Sequence, residues 1–410
     1  MGGYTRYEIP PIRNVSLLLC LFYRSFTKAP SDDSPAHISI EVPSLATTAI
    51  KIGVHCAFLA EVSLDGGVFM VIWQEWPSEN EPRQWDESLT LASDRSVFQC
   101  HGWGEYKRRD GWAPLRFVAR AAEGAPLAMA QILVRRYTFG ICVCWIPGGP
   151  VFGFSKAHSR VSATVEGLLQ ALQHRFKHLY VRLQPCAEHS PEFSYSMVQA
   201  GLRRPTSQLS SGYTVSFKLD IPEPDFLAKM TAKHRYYLKQ SRTSGISWEI
   251  STGPTAISTL VALNLEVARR AQVDSMATTE QKVRDLCSAM QHQSLILIGR
   301  QGTRAACACL ALLFGKRAFY LMAGTNELGR TSSASYAMFG QLIDALKGRG
   351  ITELDFGGID PTSQKARGVN HYKLGFGGRI TQYLGEWEWA SNRFLGKAVN
   401  FVISRTMGRT

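Results

Sequence analysis

Residues 295–325 read LILIGRQGTRAACACLALLFGKRAFYLMAGT. Three short apolar runs, LILIGR, AACACLALLF and RAFYLMAGT, are separated by glycine-containing turns, which predicts three sequential strands. Residues 115–151 follow the same plan, with LRFVAR, a turn at EGAP, then AMAQILVRR and FGICVCWIPGGPV. After each triplet comes an amphipathic pattern, 161–176 in the first copy and 334–349 in the second, with LLQAL in one matching LIDAL in the other. Each predicted helix feeds a strand, LYVRLQP or ITELDFGG. Order and spacing recur at an offset of about 175 residues, the mark of a duplicated domain rather than of a short-repeat solenoid.

The chain of 410 residues is long enough for two or three cores. The duplication predicts an α/β protein of two tandem domains, each a mixed, largely antiparallel sheet flanked by helices. The expected bounds are 70–214 and 215–410, with 1–69 a leader of uncertain structure. Within that leader, residues 15–23 (VSLLLCLFY) are too short to span a bilayer and have no small-residue cleavage site behind them. Residues 31–43 read as a linker, and 77–83 as a second turn-rich stretch.

Net charge is +13, unevenly spread: residues 1–92 carry 6 basic and 11 acidic side chains, a net of −5, which leaves +18 on the rest. Such a body attracts phosphates, nucleic acid or an anionic membrane surface, although a merely solvated basic surface has the same composition. The nine cysteines include no CxxC pair. Cys142 and Cys144, like Cys307 and Cys309, fall on one face of a predicted strand, which suits reduced core thiols, a reducing cytoplasm and no metal site. The expected location is cytoplasmic, with peripheral membrane contact left open.

Residues 354–378, LDFGGIDPTSQKARGVNHYKLGFGG, carry the densest chemistry. Glycine at this density costs conformational entropy and marks sharp turns or close backbone approach. Between the glycines lie His371, Tyr372, Lys373 and Phe376, a basic and aromatic set suited to an anionic or polar substrate. Farther upstream, Arg235, Lys239 and Arg242 recur at four- and three-residue spacing, which on a helix makes a positive stripe. No HExxH, GxSxG or Walker pattern is present, and DFG stands without a kinase catalytic loop.

Four segments, in this order, resemble the Fem family of peptidoglycan aminoacyl-ligases (FemA, FemB and FemX types). They are FQCHGWGEYKRRDGW (98–112), WIPGGPV (145–151), HRYYLKQSRTSGI (234–246), and LDFGGID followed by GVNHYKLGFGG. The resemblance runs over roughly residues 70–410, and 256–292 is too short for the two-helix arm that some members carry. It implies two GCN5-related N-acetyltransferase (GNAT)-like domains. It also implies a transferase that moves an amino acid from aminoacyl-tRNA to the stem-peptide amine of a lipid-linked or UDP-linked peptidoglycan precursor. No cofactor is implied beyond aminoacyl-tRNA as co-substrate.

Carried over by that resemblance, Lys107 contacts the precursor's diphosphate or uridyl part, with Arg108 and Arg109 beside it. Arg235 holds the same phosphates with support from Tyr236 or Lys239. Lys373 is the leading catalytic candidate, because an ammonium there would stabilise charge developing on the ester oxygens or the departing ribose. Tyr372 and Phe376 would stack on the terminal adenosine, and Asp355 would orient the attacking amine or a lysine.

Two other functions compete. An acyl-CoA-dependent N-acyltransferase, acting on an envelope saccharide or small amine, would hold the CoA pyrophosphate on a Q/R-x-x-G-x-G/A loop at a helix start. The equivalent place reads NELGRTSSA (326–334), where only Gly329 fits. The other is a non-enzymatic basic protein that binds RNA or an anionic polymer.

Overall fold

The computed structural model describes residues 57–64, 67–77, 82–121, 126–154, 160–271 and 277–408. The expected features at 15–23 and 31–43 lie outside them. Two seven-stranded sheets account for the strands named here. The first runs β1 (Ala57–Leu64), β2 (Gly67–Glu75), β3 (Ala113–Arg120), β4 (Pro126–Arg136), β5 (Ile141–Gly148) and β6 (His178–Pro185), then closes on β14 (Trp387–Ala390). In the second, the order is β13 (Arg379–Gln382), β7 (Tyr213–Lys218), β12 (Glu353–Ile359), β11 (Arg317–Thr325), β10 (Arg304–Phe314), β9 (Ser294–Gln301) and β8 (Ser247–Ile250).

The helices are α1 (Pro82–Thr90), α2 (His101–Arg108), α3 (Val161–Arg175), α4 (Pro191–Gln199), α5 (Glu223–Ala228) and α6 (Ala232–Ser241). In the second half they are α7 (Pro254–Ala271), α8 (Glu280–Met290), α9 (Glu327–Thr331), α10 (Ala334–Lys347), α11 (Arg367–Leu374) and α12 (Arg393–Gly408).

The duplication expected from the sequence is present. β3, β4 and β5 are antiparallel neighbours, α3 crosses over, and β6 lies parallel to β5. β9, β10, β11, α10 and β12 repeat that arrangement. α10 forms because Met338, Phe339, Leu342, Ile343 and Leu346 recur on one face and are all buried in the second core. Each such side chain contributes about 1.5–3 kcal/mol on burial. The helix ends where Gly350 takes φ +72° and the Ile351 N–H donates to the Leu346 carbonyl.

The expected domain bounds differ from the sheet connectivity. The bound at 70 falls inside the β1–β2 hairpin, so the first sheet begins at Ala57. The bound at 214/215 falls inside β7, which pairs with β12 of the second sheet. The strand that occupies the equivalent place beside β6 is β14, from the far end of the chain. Each sheet thus takes its strand antiparallel to β6 or β12 from beyond the contiguous repeat.

Buried polar contacts hold β14 in register. The Arg182 guanidinium on β6 is buried and pairs with Glu386, whose other oxygen accepts from the Leu209 N–H at 2.8 Å. Glu388 accepts from Tyr180 (2.8 Å), Asn400 (2.7 Å) and Arg203 (2.9 Å). Removing one member of a buried pair strands the other charge in a low dielectric. Glu386→Ala should therefore lower unfolding stability in urea by about 3–5 kcal/mol, whereas an Arg182→Leu/Glu386→Leu double change should recover most of it. An equal loss in the double variant would show that packing, not the pair, holds β14.

Candidate active site

The chain passes from the second sheet to the first through residues 383–386, between β13 and β14, and two cavities open beside that crossing. The larger is about 1130 Å³. The first domain lines it with Asp94, Gly153, Glu188 and His189, and the second with Lys218, Lys229, Gly377 and Arg379. The narrower, about 90 Å³, is walled by Val97, Phe98, Trp145, Leu209, Phe314 and Phe319. Cys186, Arg317, Asp355 and Tyr383 line both and form the wall between them.

Asp355 is the hub of that wall. It sits on β12, only 5% exposed, and accepts from the Thr214 hydroxyl, from the Tyr383 hydroxyl at 2.7 Å and from the Gly357 N–H at 2.9 Å. Burial, reinforced by the Asp355 charge, pushes the Tyr383 phenol far above its usual range, so it stays protonated and donates. Burial works against the Arg317 charge, but the Asp355 and Glu353 carboxylates outweigh it and strengthen the guanidinium's hold on its proton. Arg317 binds Glu353 at 3.0 Å, and Lys218 reaches the same carboxylate at 2.6 Å. The Cys186 thiol is pushed up to about 12 by burial, which leaves it protonated and unsuited to nucleophilic attack.

Asp355 is the expected site residue that lies on the wall. Lys373 lies behind it, 5% exposed, with Nζ donating to the Gly358 carbonyl at 2.9 Å and 5.7 Å from the centre of the Phe356 ring. Gly358 lines the narrow cavity, so Lys373 touches that cavity's backbone rather than its interior. Phe376 is buried and stacks on Phe339 at 3.9 Å, with part of its surface in the larger cavity. Tyr372 donates its hydroxyl to the Ser335 carbonyl at 2.8 Å.

Arg235, Tyr236 and Lys239 stand exposed on α6, outside the lining of either cavity, and Arg235 donates to the Leu227 and Met230 carbonyls. Lys107 is buried with Asp110 at 3.5 Å and lies over the rings of Tyr106 (4.7 Å), Trp103 (5.0 Å) and Trp145 (5.9 Å). Trp145 therefore separates Lys107 from the narrow cavity. Arg317, Tyr383 and Thr214 were not singled out by sequence. The available signal for Tyr383 was an aromatic within QYLGEWEW, just past the glycine-rich stretch.

Buried side chains join the four motifs in pairs. In the first domain, Gln99 donates to Pro147 O at 2.8 Å and accepts from Gln131 N–H at 2.7 Å, and a Cβ at Gly149 would meet its amide at 2.5 Å. In the second, the His234 ring shares a hydrogen bond with the Thr231 hydroxyl at 2.8 Å and bonds Tyr372 O at 3.0 Å. Burial pulls His234 below its usual basicity, so the ring is neutral, accepting from Thr231 and donating to Tyr372. A Cβ at Gly375 would lie 1.9 Å from that ring, which explains why glycine is required there.

Burial pulls the Lys373 ammonium from 10.5 to about 8, with Asp355 partly opposing. The unfolded chain then holds this proton more tightly than the folded one. The cost is full below about pH 8 and fades as pH rises toward 10.5. Lys373→Met should accordingly raise unfolding stability by ~3 kcal/mol at pH 7, with the gain shrinking between pH 8 and 10.5. A gain that stays constant across that range would remove the buried ammonium as its source. Gly375→Ala should destabilise by at least ~2 kcal/mol, and adding His234→Ala should relieve part of that strain in the same urea series.

The FemAB family model matches residues 268–403. No curated protein matches the sequence. A crystal structure of FemX superposes with a TM-score of 0.68 at 14% identity, covering 78% of this chain and 99% of that one. The tandem GNAT protein from the clavulanic acid biosynthesis pathway and L-PGS from Bacillus licheniformis give TM-scores of 0.47 and 0.48, each at 13% identity. They cover 78% and 82% of this chain and 99% of their own. Residues 268–403 thus match the FemAB family model, and the two-sheet fold is shared with FemX.

Proposed function

We propose that the protein transfers an amino acid from aminoacyl-tRNA to the stem-peptide amine of a peptidoglycan precursor, at the wall between the two cavities. The observation that carries this reading is the Asp355–Tyr383–Arg317 cluster, shared by a wide cleft and a narrow pocket. At about 1130 Å³ the cleft exceeds the roughly 300–1,000 Å³ of ordinary small-molecule sites, which suits two bulky substrates meeting end to end. Lys218, Lys229 and Arg379 on its lining suit phosphate-bearing ligands.

In the reaction the amine nitrogen attacks the ester carbonyl carbon. A C–N bond forms, the C–O bond to the ribose breaks, and the ribose oxygen leaves with the proton that the amine gives up. Tyr383 donates its own proton to Asp355, so its oxygen lone pairs are available to accept from the amine and aim it. Arg317 would oppose negative charge on the carbonyl oxygen. Asp355 acts as a positioning residue through Tyr383, and Lys373 as one through Gly358. The exposed Arg235, Tyr236 and Lys239 would meet substrate phosphates outside the cleft, and Lys107 would support Trp145 from behind.

An acyl-CoA donor is disfavoured by the second domain's loop. Asn326 accepts from the Gly329 N–H at 3.0 Å and donates to Ala305 O at 2.8 Å, so the amide that a pyrophosphate would take is already capped. A Cβ at Gly329 would lie 2.2 Å from Ala306 O, which leaves no gap beneath that turn.

The test supplies the full chain with a precursor and either charged tRNA or labelled acetyl-CoA. Label should reach the precursor amine from charged tRNA only, and transfer from acetyl-CoA without tRNA would sink this reading. Tyr383→Phe should lower kcat about 10²-fold with little change in KM for the precursor, because it removes an orienting contact rather than a binding one. An unchanged kcat would remove Tyr383 from the mechanism.

A further inference from the structure

Along the outer side of the first sheet, large apolar side chains stand in solvent. On α12, Leu395, Val399 and Ile403 recur at four-residue spacing and pack on Trp112, Trp145 and Tyr180. The opposite face carries Phe394, 82% exposed, and Phe401, 55% exposed. Lys397 and Arg405 lie in the same stripe, Arg393 beside it, and the helix contains no Asp or Glu. Among the described residues, no ion pair joins Arg393, Lys397 or Arg405 to a carboxylate.

A second element lies beside the start of that helix. Ile141 pairs with His178, and the Leu179 N–H donates to the Ser391 hydroxyl at 3.0 Å, so the turn before β5 and the start of α12 are neighbours across the sheet end. Phe139 in that turn is 90% exposed and held at φ +60°, a region costly for a bulky residue. Arg136 and Lys177 beside it are exposed. Exposed aromatics interspersed with cations are the chemistry of a surface that inserts shallowly among anionic lipid headgroups.

We propose that this face, built on Phe139, Phe394 and Phe401 with Arg393, Lys397 and Arg405, docks on an anionic lipid surface. A second copy of the chain fits it poorly, because a two-fold contact would set these cations against their own copies. α12 starts at the Ile141–His178 end and runs back along the first sheet, where Asn400 reaches Glu388 at 2.7 Å and Ile403 packs with Trp145. The inference does not depend on the transfer reaction.

The test floats the full-length protein with vesicles of equal phosphatidylglycerol and phosphatidylcholine, and with phosphatidylcholine alone, in about 0.1 M salt. Wild type should float with the anionic vesicles, and Phe394→Ser/Phe401→Ser should reduce the bound fraction at least tenfold with an unchanged melting curve. Lys397→Glu should weaken binding to the anionic vesicles alone. No flotation of wild type, or equal flotation of the double variant, would overturn the proposal. So would a concentration-dependent dimer that the double variant abolishes, or tRNA binding lost in parallel with vesicle binding, since the face would then belong to a second copy or to RNA.

Discussion

The pairing of Glu386 and Glu388 with partners on the first domain is the constraint on which the rest of the molecule depends. Glu388 on β14 and Glu386 just before it are buried, and neither carboxylate can be left uncompensated at that depth. Their partners, Arg182 and Tyr180 on β6 and Asn400 on α12, fix the register of β14 to the residue. Since β13 pairs with β7 of the second sheet, only residues 383–386 remain to cross between sheets. Tyr383 therefore has little choice of position, and its hydroxyl arrives at Asp355. A structural ion pair in one domain in this way sets a hydrogen bond at the candidate site of the other.

The charges around that site make a poor case as stabilising devices. Buried ion networks gain little over well-packed apolar groups of the same volume, and a desolvated lysine is a net cost. Arg317–Glu353 and Tyr383–Asp355 nevertheless form two bonded pairs along a cleft wall, with Lys373 buried behind it. Arg317, Glu353 and Tyr383 have proton affinities moved by burial and by neighbours, and such groups gathered at a cleft are better explained by chemistry than by folding. The neutral His234 is different: it is enclosed by Thr231, Tyr372 and Gly375 and joins two motifs without facing either cavity.

Much of the fold was legible because it rests on local pattern. The triplets at 115–151 and 295–325 announce their strands through apolar runs and turns, and α3 and α10 through their spacing. The exchange of β14 was not legible: a four-residue WEWA with a buried glutamate looks like surface, and only its distant partners make it a strand. The β1–β2 hairpin left a usable signal, two apolar runs around Asp65-Gly66, that the leader assignment overrode. For the site, Asp355 and the glycines were readable, but Lys107 and Lys373 were expected to face substrate. Lys107 and Lys373 are buried among aromatic rings instead, and Arg317 meets Tyr383 only through a fold that no local window contains.

The duplication also explains why the site is one and not two. β5 and β6 pair over their full length, from Ile141–His178 to Gly148–Pro185, so the first sheet is closed there. β11 and β12 pair only from Arg317–Glu353 to Phe319–Asp355 and then part, with the Tyr320 and Phe356 rings 4.7 Å apart beside the opening. The strands diverge immediately beyond Asp355, the residue that holds Tyr383. In the first copy the equivalent strands stay zipped, with Phe139 at their far end and α12 running back along the sheet from there. If the outer side of that sheet rests on lipid, the halves of the duplication have divided their labour: the closed sheet anchors, and the parted sheet carries the candidate site. That division requires the two sheets to hold a fixed orientation, which is what the short crossing at residues 383–386 imposes.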